Sequence, residues 1–124
     1  MNDLNSKTIA VVGVSRNKAK YGFIVFKDLL DAGYDVFGVN PNADYILGKR
    51  IYNTLYELPK KPDIVVTVTP SEVTEKVVDA CRDIGVNEIW MQPGSESEEA
   101  VKKAEKGGIS VIHNACIMIE KGSK

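Results

Sequence analysis

Five short apolar, β-branched runs recur along the chain, at Thr8–Val12, Asp35–Val39, Asp63–Val68, Glu88–Met91 and Ile109–Ile112. Several lack polar alternation, as strands covered on both faces do, and the segments between them carry apolar residues at helical spacing. That alternation predicts an α/β fold: a parallel sheet of five strands with helices on both faces. At 124 residues the chain is long enough for one such core and, read as it stands, for a single domain with a single site.

Local signals place the helices. Val73, Val77, Ala80, Cys81 and Ile84 form one apolar stripe, which makes Cys81 a core residue. Thr69-Pro70-Ser71-Glu72 predicts Thr69 as the N-cap with Pro70 at the first helical position, and Gly85 closes the helix. Ser95-Glu96-Ser97-Glu98 reads as a second capping box, opening a helix that runs to Gly107-Gly108 with its acids first and its bases last. The first helix, Tyr21 to Ala32, has Tyr21, Val25, Leu29 and Ala32 on one side and Phe23, Phe26 and Leu30 beside it. So wide an apolar surface suits a core helix packed on two sides, the favoured reading, or a helix that also serves a homodimer. Asn40–Pro62 reads as an irregular connection with one short helix at Thr54–Leu58, and Lys121–Lys124 as a frayed tail.

Gly13-Val14-Ser15-Arg16-Asn17-Lys18-Ala19-Lys20-Tyr21 joins the first strand to the first helix and breaks the charge rule that the later helix obeys. A helix N-terminus carries unpaired N–H groups and partial positive charge, so acids normally gather there. Here Arg16, Lys18 and Lys20 precede the helix, and no acid occurs between Asp3 and Asp28. A bound phosphate resolves this excess of positive charge. The plainer reading is a solvated loop with three incidental cations.

Ligands of open parallel sheets bind outside the C-terminal strand ends, near the point where strand order reverses. Five segments are expected there: Gly13–Tyr21, Asn40-Pro41, Thr67–Ser71 with Thr69 and Pro70 at its centre, Gln92-Pro93-Gly94, and His113–Cys116. The dinucleotide fingerprint G-x-G-x-x-G and the P-loop are absent. The second strand ends in neutral Val39-Asn40-Pro41, where an NAD site usually places an acid for the ribose hydroxyls. Lys49-Arg50 offers countercharge for a ribose phosphate, which points to coenzyme A or a related nucleotide. A net charge of −1 with 27% charged residues gives no general attraction for nucleic acid or for an acidic membrane, so the partner expected is a small anion. No apolar run approaches the length of a bilayer span. Two widely separated cysteines, and a start at Met1-Asn2-Asp3-Leu4 without a signal-peptide pattern, predict a reducing, cytoplasmic setting.

Taken together, VVGVSRNKAKYG (11–22), VNPN (39–42), LGKRIY (47–52), VTPSEV (68–73), IWMQPGSES (89–97) and HNACIM (113–118) resemble the small stand-alone coenzyme A-binding proteins. These are similar to the coenzyme A-binding domain of the succinyl-CoA synthetase α subunit. The resemblance implies a Rossmann-like, doubly wound sheet of five parallel strands that binds coenzyme A or acyl-CoA without catalysing a reaction. It implies phosphates lined by Gly13, Ser15, Arg16, Lys20 and Tyr21, with Val14 and Pro70 in the same turns. Asn40, Pro41 and Thr69 would border the adenine-ribose end, and Pro93, Gly94, Asn114 and Cys116 would lie toward the pantetheine. The phosphohistidine and ATP-grasp modules of the ligase relatives have no counterpart in these segments, so synthetase activity is not expected.

Catalytic groups are sparse. His113, the sole histidine, has no carboxylate or serine beside it in sequence and serves equally to orient the last short helix. One histidine with no ligand cluster argues against a metal site. Cys116 either packs as a small core residue or faces the coenzyme thiol, with which it would form a mixed disulfide. Two alternatives stand beside the binding module. One is a transferase or thioesterase accessory using His113 or Cys116; the other is an NAD- or nucleotide-sensing module that docks a protein through Phe23 and Phe26.

Overall fold

The computed structural model describes residues 6–118, and the readings made at Met1–Leu4 and Lys121–Lys124 lie outside them. Strands β1 (Thr8–Val12), β2 (Asp35–Val39), β3 (Tyr45–Ile46), β4 (Lys49–Tyr52), β5 (Ile64–Thr67), β6 (Glu88–Met91) and β7 (Ser110–Ile112) form one sheet in the order β3-β4-β2-β1-β5-β6-β7. All neighbours are parallel except β3 and β4. The sheet therefore has seven strands where five parallel ones were expected, and the two additions fall in the segment read as irregular. There Leu47 (φ 54°) and Gly48 (φ 74°) make a tight hairpin between β3 and β4. Positive φ at both central positions is what a turn matched to strand twist requires. β4 then docks on β2 through Gly38↔Ile51 and Val39↔Tyr52.

β1 is buried along its whole length and alternates its side chains between two cores. Ile9 and Val11 pack with α1 (Tyr21–Asp31), while Ala10 and Val12 pack with α2 (Ser71–Ile84) and α3 (Glu98–Lys106). Helices thus cover both faces. Cys81 is fully buried in the second core, as its place in the stripe predicts. α1 buries Phe23, Val25, Phe26 and Leu29, which places these four residues of its apolar surface in the core. Two residues assigned to that surface are not in it: Tyr21 is 64% exposed, and Ala32 is an exposed C-cap. With Phe23 and Phe26 buried against the sheet, the partner surface suggested for them is unavailable.

Two helix starts also differ from expectation. Pro70 rather than Thr69 stands at the N-cap of α2, and the Thr69 hydroxyl pairs with that of Thr74 at 2.7 Å. Pro70 has extended backbone (φ −58°, ψ 150°) rather than helical, so the helix begins at Ser71. Ser97 rather than Ser95 caps α3, accepting from the Ala100 N–H at 3.0 Å. Ser95 is instead buried in the preceding turn, its hydroxyl 2.8 Å from that of Thr67.

β2 lies on one side of β1 and β5 on the other, so strand order reverses between β1 and β5. The crevice of a doubly wound sheet opens at that point, here beyond Val12 and Thr67.

Candidate functional site

The chain leaves β1 at Gly13 with φ 101°, a conformation that L side chains rarely adopt, and a Cβ there would lie 2.2 Å from the Val68 carbonyl oxygen. At Gly22 a Cβ would stand 2.0 Å from the Gly13 carbonyl oxygen. The pair lets the start of α1 sit directly on the end of β1, the close helix–strand approach that a glycine serves in dinucleotide-binding turns. Between them the loop is braced by its own side chains. Asn17 N–H donates to Ser15 Oγ at 3.0 Å, Ala19 N–H to Asn17 Oδ1 at 3.0 Å, and Lys20 N–H to the Asn17 carbonyl at 3.0 Å.

Lys20 is the N-cap of α1, with extended backbone, no side-chain cap bond and no acid in the first turn. α3 is the internal contrast: Ser97 caps it, Glu98 and Glu99 follow, and Lys103 and Lys106 close it. One helix end in the fold is neutralised by its own sequence and the other is made more positive.

Two hollows flank this helix start. A basic one of about 470 Å³ is lined by Gly13, Val14, Ser15, Ala19, Lys20, Tyr21, Gly22, Asn40, Val68, Thr69 and Pro70. The other, about 360 Å³ and mainly apolar, is lined by Tyr21, Val68, Thr69, Pro70, Gln92, Pro93, Gly94, Ser95 and Cys116. Tyr21, Val68, Thr69 and Pro70 belong to both, so the hollows meet along one shared wall.

Eleven of the expected site residues line one hollow or the other, which leaves Arg16, Pro41, Lys49 and Asn114 outside both. Arg16 is exposed on the loop itself. Pro41 is exposed and its carbonyl accepts from Asn53 Nδ2 at 3.3 Å. Asn114 is exposed with φ 62°. Lys49 is displaced from the rest: it lies two residues before the Ile51↔Gly38 pair, toward the N-terminal ends of the strands, where Lys60 foremost, then the Thr8 hydroxyl and lastly the Lys49 charge hold the Asp35 carboxyl below its usual pKa. Arg50 stacks over the Tyr52 ring at 5.2 Å, in a separate hollow with Asp44, Asn53 and Glu57. His113 is exposed and lines neither hollow. Asn40 is committed to the fold, its Nδ2 donating to the Val14 carbonyl at 2.6 Å and its Oδ1 accepting from Asn42 N–H at 2.7 Å.

Gln92, in the Gln92-Pro93-Gly94 segment expected at the strand ends, organises the apolar hollow. It is only 3% exposed, and its Oε1 accepts from Ile117 N–H at 2.7 Å while Nε2 donates to Cys116 Sγ at 3.3 Å. Its backbone N–H reaches the Thr67 carbonyl, and its own carbonyl accepts from Ser95 N–H and Ser95 Oγ. One residue thereby ties the end of β5, the Pro93–Ser95 turn and the Cys116 segment into the wall of one cavity. The sequence signal was a polar residue placed directly between the buried Met91 and a Pro-Gly turn.

Among the described residues no group of His, Cys, Asp and Glu could hold a metal ion. No described helix is long and apolar enough to cross a membrane. A family defined as a CoA binding domain matches residues 7–122. The uncharacterized protein YneT of Bacillus subtilis is 34% identical over 114 residues, covering 92% of this chain and 84% of YneT. An ADP-forming acetate–CoA ligase of Archaeoglobus fulgidus is 32% identical over 101 residues, covering 80% of this chain but only 15% of the ligase. Among solved structures, a conserved hypothetical protein from Pyrococcus furiosus superposes with a TM-score of 0.88 at 45% identity, covering 92% of this chain and 98% of the other. A dinucleotide-forming acetyl-coenzyme A synthetase from Candidatus Korarchaeum cryptofilum gives a TM-score of 0.76 at 32% identity, covering 87% of this chain and 26% of the synthetase. With a family match across nearly its whole length, the chain belongs to the CoA binding domain family.

Proposed function

We propose that the chain binds coenzyme A or an acyl-CoA as a non-catalytic module, with the phosphates at the Gly13–Tyr21 turn and the thiol end beside Pro93, Gly94 and Cys116. The observation that carries this reading is the shared wall of Tyr21, Val68, Thr69 and Pro70 between a basic hollow and an apolar one. A ligand with a polyanionic head and a long, weakly polar arm occupies both at once, whereas a simple nucleotide fills only the first. The neutral end of β2 supports coenzyme A over NAD, because Asn40 is already engaged within the fold and brings no carboxylate to a ribose. A binding role rather than a catalytic one is supported by the neighbour of Cys116, an amide with no capacity to act as a general base.

Native mass spectrometry followed by thermal-shift titration with coenzyme A, acetyl-CoA, NAD and ADP tests the reading. A ligand that binds only the folded state raises the melting temperature with concentration. Stabilisation by the coenzyme A compounds beyond that by ADP is expected. Stabilisation by NAD alone, or by none of the four, overturns the proposal. Consumption of acetyl-CoA by the pure protein, lost in Cys116→Ser, would replace it with the enzymatic alternative.

A further inference from the structure

The Gln92 amide has hydrogen-bonding capacity that no described residue uses. Its orientation is set by the Ile117 N–H, which only Oε1 can accept, so Nε2 must face Cys116. An amide nitrogen has two hydrogens, and the bond to Cys116 Sγ takes one. The second meets no acceptor among the described residues, although Gln92 is 97% buried and lines the apolar hollow. Neighbouring polar groups in that hollow are engaged: Ser95 Oγ with Thr67 and the Gln92 carbonyl, and Thr69 Oγ1 with Thr74. A buried donor left without a partner is costly, so a ligand carbonyl brought to it gains more than the same bond made in water.

The geometry points to a preference for the acylated ligand, with the Gln92 side-chain amide donating to the thioester carbonyl oxygen. This rests on the coenzyme A reading above. Free coenzyme A carries a thiol where acetyl-CoA carries that carbonyl, so only the thioester fills the vacant donor. The hollow, about 360 Å³, is shared with the pantetheine arm, and the acyl group it suits is short.

Calorimetric titration with free coenzyme A, acetyl-CoA and S-ethyl-CoA, a thioether of similar size with no carbonyl, separates the donor from simple space filling. The wild-type protein should bind acetyl-CoA about 3- to 10-fold more tightly than S-ethyl-CoA, the span expected of one hydrogen bond to a buried donor. Gln92→Met removes the amide, and Gln92→Glu keeps an acceptor for Ile117 N–H while losing both donors. In each variant the ratio should collapse to about one, with binding of S-ethyl-CoA retained. Equal wild-type affinity for acetyl-CoA and S-ethyl-CoA overturns the inference. So does a preserved ratio in variants that weaken all three ligands alike, since Gln92 would then only hold the Cys116 segment in place. Wild-type binding of coenzyme A and S-ethyl-CoA without preference for the thioester leaves the parent reading standing; no binding of any of the three overturns both.

Discussion

Gly22, in the first turn of α1, faces the carbonyl of Gly13 at the end of β1 so closely that a Cβ on Gly22 would lie 2.0 Å from that oxygen. The obstacle is backbone at the end of a fully buried strand, which cannot swing aside as a side chain does. Gly22→Ala should therefore push α1 off the sheet and open the Gly13–Tyr21 turn. A loss of about 1–3 kcal/mol in urea denaturation is expected, the usual range for overpacking, together with weakened coenzyme A binding. Gly107→Ala is the control, since its nearest contact is the flexible Arg82 side chain at 3.4 Å and its φ is −84°. That variant should change stability by less than about 0.5 kcal/mol, as ordinary surface substitutions do.

How legible these features were in the sequence follows from what each segment buries. β1, β5 and β6 are covered on both faces and so appear as unbroken apolar runs. The β3–β4 hairpin is an edge that buries only Ile46 and Ile51; its Tyr and Ile residues favour strands, but runs of two and four residues split by Leu47-Gly48 and the charged Lys49-Arg50 are too short to read as strands. The basic turn before α1 is legible because a helix start without acids contradicts the dipole rule, and that contrast survives with no coordinates at all. Lys49 reads in the sequence as countercharge for a ribose phosphate near the neutral end of β2, whereas parallel pairing of β4 with β2 sets it toward the opposite end of the strands, where its charge acts on Asp35. The sequence places Gln92 at a strand end beside the site, but its hydrogen-bonding role exists only once the Cys116 segment folds over it.

Arg16 and Lys20 are both exposed, so replacing them should alter binding without altering the fold. Charge-assisted bonds to phosphate contribute about 1.5–3 kcal/mol each, so the Arg16→Ala/Lys20→Ala double variant should lose roughly 100-fold or more in coenzyme A affinity. Its apo melting temperature should stay within about 2 °C of the parent, because exposed charges of this kind contribute little to stability. Calorimetry on the apo and liganded protein checks both halves. Undiminished binding by the double variant would show that the phosphates lie elsewhere.

Asp35 opens β2 and accepts from Lys60 Nζ at 2.8 Å and from the Thr8 hydroxyl at 2.8 Å. The Lys60 contact, followed by the Thr8 bond, lowers its pKa from the model-peptide value of 3.8. A carboxylate with a folded pKa below its unfolded one contributes stability above the unfolded pKa and loses it as pH falls through the folded pKa. Asp35 is half exposed, so solvent screening limits the effect to less than about 1 kcal/mol. Asp35→Asn should be slightly less stable than the parent at pH 7, and the gap should shrink as pH falls below 3.8 and through the lower folded pKa (denaturant titrations across that range decide it). A gap that persists unchanged in acid would assign the loss to the Thr8 bond rather than to the charge.

The two cysteines offer a direct readout of the cleft, because burial separates their chemistry. Cys81 is fully buried, and desolvation pushes its thiol up to about 12. At pH 8 that leaves roughly one thiolate in 10,000, and the thiolate is the species that alkylates. Cys116 lines the apolar hollow and is only partly buried. Iodoacetamide at pH 8, mapped by peptide mass spectrometry, should therefore modify Cys116 in the folded protein and reach Cys81 only in denaturant. Saturating S-ethyl-CoA, which has no free thiol to consume the reagent, should slow the Cys116 reaction, at least severalfold if the ligand's sulfur end fills the hollow, and leave Cys81 unchanged. Protection of Cys116 would place the ligand's arm beside it. Reaction at an unaltered rate, under conditions where calorimetry reports full occupancy, would mean that the arm runs outside the hollow and that only the phosphate half of the site is correctly assigned.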